Sequence, residues 1–211
     1  MTRERTGDDS HRMHGWKGTM SPITHDPVEW ARQYWLEMGW ADTIGGMTVV
    51  ASVQRADQIF MNQADAILRP LGLTMARYQV LGILNSYGAA PLGVIGQHLW
   101  ITAATVTSNV DRLEAAGLCR RRPHPTDART TLAEITPKGR RVFERAVEAM
   151  KTKVFAAVTL SENEAQQLVD LIAKIRTSVG DVVGVPPSEQ PVWERDDAPP
   201  RPRKRAPTRR K

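Results

Sequence analysis

Two groups of residues in this chain have types and spacing suited to gripping a polyanion. The first is the run CRRRPHPTDART, residues 119–130. Arg120, Arg121 and Arg122 precede a Pro-rich turn, and Asp127 stands two residues before Arg129. Arginine presents a planar fork of donors that matches phosphate oxygens. An aspartate beside it can pre-orient the long side chain by a charge-assisted hydrogen bond and reduce the rotamer entropy lost on contact. The second group is ITAATVTSNVDR, residues 101–112, dense in short polar side chains: Thr102, Thr105, Thr107, Ser108 and Asn109, closed by Arg112. Short hydroxyls and amides approach closely and bond phosphates or base edges. The bland alternatives are a helix cap at Thr102, a surface charge at Arg112 and an ordinary surface ion pair at the turn.

The elements that must position these groups can be read from periodicity. Thr102 suits a helix cap, Val106, Val110 and Leu113 form an apolar stripe, and Gly117 suits the stop. Ahead of it, APLGVIGQHL places Ile95 and Leu99 one turn apart, with a break at Trp100 and Ile101. Two short helices joined by a tight turn, the second polar on its outer face, predict a helix-turn-helix. LCRRR and RTTLAEI then suit strands, with PHPTDA carrying turn residues between them. The prediction is a β-hairpin wing, with Arg120, Arg121 and Arg122 on its first strand and Arg129 at its tip.

Helices flank this unit. Asp26, Pro27 and Glu29 suit a cap, a first helical position and a capping box, and Trp30, Tyr34 and Met38 follow at spacing four. This short helix has an aromatic face, for packing or for contact with a ligand. A long helix follows, with Val53, Ala56, Phe60, Ala64, Ile67 and Leu71 on one stripe. Thr74 caps the next, with Tyr78, Leu81 and Leu84 inward. After the wing, Thr136 and Pro137 restart a helix with the stripe Phe143, Val147, Met150, Val154, Ala157. Ser161 and Glu164 form a capping box for a last helix, with Leu168, Leu171, Ile175 and Val179 inward.

The expected fold is therefore mainly α with a small β-hairpin: a winged helix-turn-helix with dimerisation helices at both ends. The expected division is a disordered N-terminus over 1–25, an amphipathic helix over 26–40 and a dimerisation helix over 47–73. The winged domain spans 74–137, further dimerisation helices 138–180, and a disordered basic tail 184–211. The terminal helices carry more apolar face than a domain of roughly 80 residues can cover, so they are expected to meet a second copy.

Composition narrows the class. The formal charge is +6, but the final stretch PPRPRKRAPTRRK holds seven of the 29 basic residues; the remaining 22 (29 less 7) face 23 acids. The folded body is nearly neutral, so local clusters and not bulk charge carry the nucleic-acid reading. The tail itself suits either nonspecific tracking of a DNA backbone or plain solvation. One cysteine excludes an internal disulfide. The absence of an apolar run of membrane length or of a secretory signal predicts a cytoplasmic protein with no membrane partner. Cys119 reads as a packed cysteine rather than a redox sensor. His11, His14, His25, His98 and His124 lack metal-ligand spacing. No nucleophile–base pair, nucleotide loop, metal or other cofactor is expected, so an enzyme is disfavoured.

The combination of LTMARYQVLGIL, IGQHLWITAATVTSNVDRLEAAGLCRR and PTDARTTLAEITPKGR resembles the MarR family of bacterial transcription regulators, over about residues 47 to 180. The resemblance implies a homodimer on pseudo-palindromic double-stranded DNA, released in many members by phenolic ligands or oxidants. It implies that Asp127 orients Arg129 for the minor groove. The family's peroxide-sensing branch carries its cysteine near the N-terminal dimer helix, where this chain has none. Against a ligand-released repressor stand two alternatives: a constitutive regulator, and a winged-helix module that docks another protein.

Overall fold

A computed structural model describes residues 24–181, apart from position 128. The tail, and nearly all of segment 1–25, lie outside the described residues. The chain divides into two compact units, one ending at Gln58 and the other beginning at Ile59.

The first unit holds α1 (Pro27–Glu37) and the start of α2 (Ile44–Leu68). The Asp26 side chain accepts from the Val28 N–H and Pro27 opens the helix, as the sequence suggests. Glu29 does not complete a capping box. Its carboxylate accepts from Arg32 at 2.7 Å and from Gln33 at 3.2 Å, because residues three and four apart face each other on a helix. No residue of α1 is buried, and Trp30 and Tyr34 stack with ring centroids 6.1 Å apart and planes 8° from parallel.

The second unit contains the core. α2 ends at Leu68 and a 3₁₀ turn, Arg69–Leu71, leads to Gly72 in the left-handed region. Ala64 and Leu68 are the residues of α2 that are buried; Val53 and Phe60 of the expected stripe stay exposed. Asp65 accepts from the Met75 N–H at 3.2 Å and ties the end of α2 to α3 (Met75–Tyr87), which Thr74 caps. In α3, Val80, Leu81 and Leu84 are buried, and Tyr78, half-buried, packs against the core and stacks on Phe143 at 5.3 Å.

Gly88 (φ 74°) turns the chain into a strand absent from the sequence reading, β1 (Ala89–Pro91). Then come α4 (Leu92–Leu99), α5 (Ala103–Ala115), β2 (Cys119–Pro123) and β3 (Thr131–Ile135). The wing is thus part of a three-stranded antiparallel sheet in the order β1-β3-β2, with Ala90 opposite Ala133 and Arg120 opposite Glu134. A three-residue strand of small residues and proline has too little pattern to announce itself.

α6 (Pro137–Lys153) buries Ala146 and Met150, and Val154 just beyond it, while Ala157 of its expected stripe is exposed. α7 (Glu162–Ser178) has the expected Ser161–Glu164 capping box. It has no buried residue. Leu168, Leu171, Ile175 and Val179, expected inward, are exposed in the single chain. No helix among the described residues is long and apolar enough to cross a membrane.

Candidate nucleic-acid interface

α5 is built two-sided. Val106, Val110 and Leu113 recur at spacings of four and three, so they share one face, and all three are fully buried against the core. Burying three such side chains contributes several kcal/mol, at about 1.5–3 kcal/mol each, and fixes the rotation of the helix. That rotation presents Thr102, Thr105, Thr107, Ser108 and Arg112 to solvent, with Asn109 half-buried.

The helix start is pre-arranged. The Thr102 hydroxyl accepts from the Thr105 N–H at 3.3 Å and lies 2.9 Å from the Thr105 hydroxyl. Thr107 donates to the Ala103 carbonyl at 2.9 Å, and Asn109 donates to the Thr105 carbonyl at 3.0 Å. These local bonds set side-chain direction while leaving lone pairs outward. Arg112 is exposed and forms no ion pair with any described residue.

The ITPKG restart fastens the wing to α5. The Thr136 hydroxyl donates to the Gly117 carbonyl at 2.8 Å and accepts from the Gly139 N–H at 3.0 Å. Lys138 donates to the Ala116 carbonyl at 2.7 Å, a cation placed on the negative end of α5. At Gly139 an added Cβ would stand 2.0 Å from the Leu118 carbonyl oxygen. The backbone entering β2 and the first turn of α6 therefore approach as closely as only glycine allows.

The three arginines separate into two roles. Arg120 donates to Glu134 at 3.0 Å, and Arg122 reaches the same carboxylate at 3.3 Å. Arg121 points to the other face of the strand. Its guanidinium meets Asp111 at 2.6 Å and Glu114 at 2.5 Å, and its N–H donates to Glu114 at 2.7 Å. Those bonds, the backbone one first and the guanidinium next, hold Glu114 below the usual carboxylate range. Arg121 thus clamps β2 to α5.

At the wing tip, Asp127 accepts from the Thr130 hydroxyl at 2.7 Å and from the Arg129 N–H at 3.1 Å, with the Arg129 Nε 3.5 Å away. Its pKa is lowered first by Thr130, then by the Arg129 backbone. Asp127 shapes the loop backbone more than it grips the guanidinium. The Arg129 side chain is 95% exposed, so it projects from a loop that its neighbour has ordered. Reasoning from sequence missed Thr130, the single buried polar residue among those described, and also Glu114, Glu134 and Lys138. For Glu114, Glu134 and Lys138 the signal lies in partners seven to twenty-two residues away, and for Thr130 in Asp127 three residues back.

Cys119 is buried, and its thiol donates weakly to the Val110 carbonyl at 3.7 Å. Burial first, then the Glu114 charge, pushes it up to about 11. His98 bonds the Val94 carbonyl at 3.0 Å and packs edge-on to Tyr87. No group of three metal-ligating side chains occurs among the described residues.

The model of the MarR family matches residues 73–131, the stretch from the start of α3 to the start of β3. The chain is 30% identical over 105 residues to the HTH-type transcriptional regulator MhqR of Bacillus subtilis, covering 49% of this chain and 72% of that one. Among solved structures it is similar to Sco5413, a MarR family transcriptional regulator from Streptomyces coelicolor. The identity is 34%, with a TM-score of 0.59 over 66% of this chain and 99% of that one. The transcriptional repressor CouR, solved on a 23-mer DNA duplex, is 27% identical with a TM-score of 0.55, over 59% and 89% of the two chains. These relatives are transcription regulators and not enzymes.

Proposed function

We propose, since this chain belongs to the MarR family of DNA-binding transcriptional regulators, that it acts in the cytoplasm as a homodimeric repressor on a pseudo-palindromic operator and is released by a small aromatic or phenolic effector. The observation that carries the DNA reading is the pairing of α5, polar outside and locked inside, with a wing whose Arg129 stands 95% exposed. Thr102, Thr105, Thr107, Ser108, Asn109 and Arg112 face the major groove. Arg129, on the loop ordered by Asp127, enters the minor groove, where a narrow groove concentrates negative potential. Arg120 and Arg122 lie along the phosphates, and Arg121 supports them from behind.

The dimer reading rests on α7, whose apolar face, Leu168, Leu171, Ile172 and Ile175, is exposed in one chain. Such a face is covered when a second copy meets it. A two-fold pair would set two α5 helices about 34 Å apart, one helical turn of DNA. The effector reading rests on the stacked Trp30–Tyr34 pair of α1, an exposed aromatic surface suited to a flat ligand.

The test uses the full chain and a random-sequence duplex pool. The expected product is an inverted repeat, bound by two chains, with steep salt dependence. Arg129→Ala lowers affinity for it by about tenfold or more, the scale of losing a central arginine anchor. A phenolic panel raises Tm and frees the duplex, because a ligand of the native state stabilises it. A pool that yields no motif sinks the operator reading, and a monomer in solution sinks the dimer. A panel without effect on Tm leaves a constitutive regulator.

A further inference from the structure

Trp100, at the turn between α4 and α5, bears two costs at one residue. It is the one non-glycine among the described residues with positive φ, at φ 54° and ψ 41°. It is also 68% exposed, and it belongs to neither the buried core nor the side chains packed on it. The backbone geometry has a clear origin. The N–H groups of Trp100 and Ile101 donate to Gln97 and Gly96 at 3.3 and 3.0 Å, closing α4. Gly96 lies so near the next segment that an added Cβ would meet the Ile101 carbonyl at 3.2 Å and Val106 Cγ2 at 3.3 Å. A turn this tight needs a left-handed residue, and glycine or asparagine would supply it with less strain. The chain places a tryptophan there and leaves the indole in water. Strain and apolar exposure at one position mark a residue kept for contact outside the fold.

Its location says what the contact is. Trp100 sits two residues before Thr102, the cap of α5. When the first turns of a recognition helix enter the major groove, the turn ahead of it lies over the flanking strand. A sugar–phosphate strand offers an anionic acceptor beside an apolar deoxyribose. An indole offers an N–H donor at the edge of a broad apolar face. We infer that Trp100 is a DNA-backbone contact: its ring covers a deoxyribose and its Nε1–H donates to the neighbouring phosphate. This rests on the DNA-binding role of α5 stated above.

The experiment compares the full chain with Trp100→Gly and Trp100→Asn, two residues that suit left-handed backbone. Each is titrated against the duplex that the unaltered protein selects from a random pool and against a scrambled duplex of equal length. Both variants should keep or raise Tm while losing about tenfold in affinity for both duplexes, as expected for an aromatic anchor on a sequence-neutral strand. The salt slope should stay the same, because the indole carries no charge. Affinity within about threefold of the unaltered protein overturns the inference, since no anchor is that weak. So does a Tm that falls in both variants along with affinity, which would make the ring a packing element of the fold. Failure of the unaltered chain to select any duplex would strike the operator reading instead.

Discussion

Replacing each of the three consecutive arginines by methionine separates support from contact. Methionine keeps the apolar stem that packs against the strand and removes only the charged fork. Arg121 loses two ion pairs in Arg121→Met. The one with Glu114 joins side chains 26% and 37% exposed, and the one with Asp111 reaches a carboxylate 58% exposed. Discounted for solvent, the first contributes about 1 kcal/mol and the second a few tenths, so the loss is about 1–1.5 kcal/mol. For a chain of this size that lowers Tm by about 3–5 °C. Glu114 still accepts from the backbone N–H at position 121, so β2 remains paired to α5 and the fold survives.

DNA binding should respond in the opposite way. Each phosphate neutralised contributes about −0.9 to the slope of log affinity against log salt. In a dimer, Arg120→Met or Arg122→Met should flatten that slope by up to about 2, one contact per protomer, with Tm nearly unchanged. Arg121→Met should leave the slope intact. Thermal unfolding and anisotropy titrations over a range of potassium chloride read the two quantities separately. If Arg121→Met flattened the slope and left Tm alone, the clamp would be refuted and Arg121 would be a phosphate contact.

Two further outcomes test the scaffold. Gly139→Ala drives a methyl to within 2.0 Å of the Leu118 carbonyl, so the start of α6 must leave β2. It should cost about 3 kcal/mol or more in chemical denaturation, the upper range of overpacking. Cys119, pushed up to about 11 by burial, holds its proton more firmly folded than unfolded. Its contribution to stability is therefore complete below the ordinary thiol range and is lost as pH rises through that range towards 11. The loss approaches about 3 kcal/mol, two pKa units' worth. Urea unfolding from pH 8 to 11 should show this decline, and Cys119→Ala should flatten it.

Much of the fold was legible because local chemistry and tertiary packing agree. Thr74, Thr102, Thr136 and Ser161 each cap the helix that their position announces, and the stripe Val106, Val110, Leu113 is the face α5 buries. Legibility failed where a pattern needs a partner to be interpreted. Leu168, Leu171, Ile175 and Val179 have helical spacing, but spacing says only that a face is apolar, not what covers it. Glu29 had two ways to be satisfied, and Arg32 one turn on won over the helix start because it carries charge.

The site shows the same limit in a sharper form. Strand alternation alone sends Arg121 to the face opposite Arg120 and Arg122. Which face meets α5 depends on how helix and strand cross, and that is set by close contacts such as Gly139 on Leu118. The crossing puts Asp111 and Glu114, three apart on α5, against Arg121 and leaves Glu134 to the other two. Each outward arginine of the wing thus already has an acid neighbour, unlike Arg112 on α5: Glu134 for Arg120 and Arg122, Asp127 for Arg129. On the proposed reading, DNA would share these cations and would not find them bare. The acids would lower the Coulomb gain from each phosphate and would also remove part of the entropy of fixing long side chains. A wing built this way would trade raw attraction for orientation, so that on the proposed reading its arginines would favour a duplex whose grooves fit over one that is merely charged.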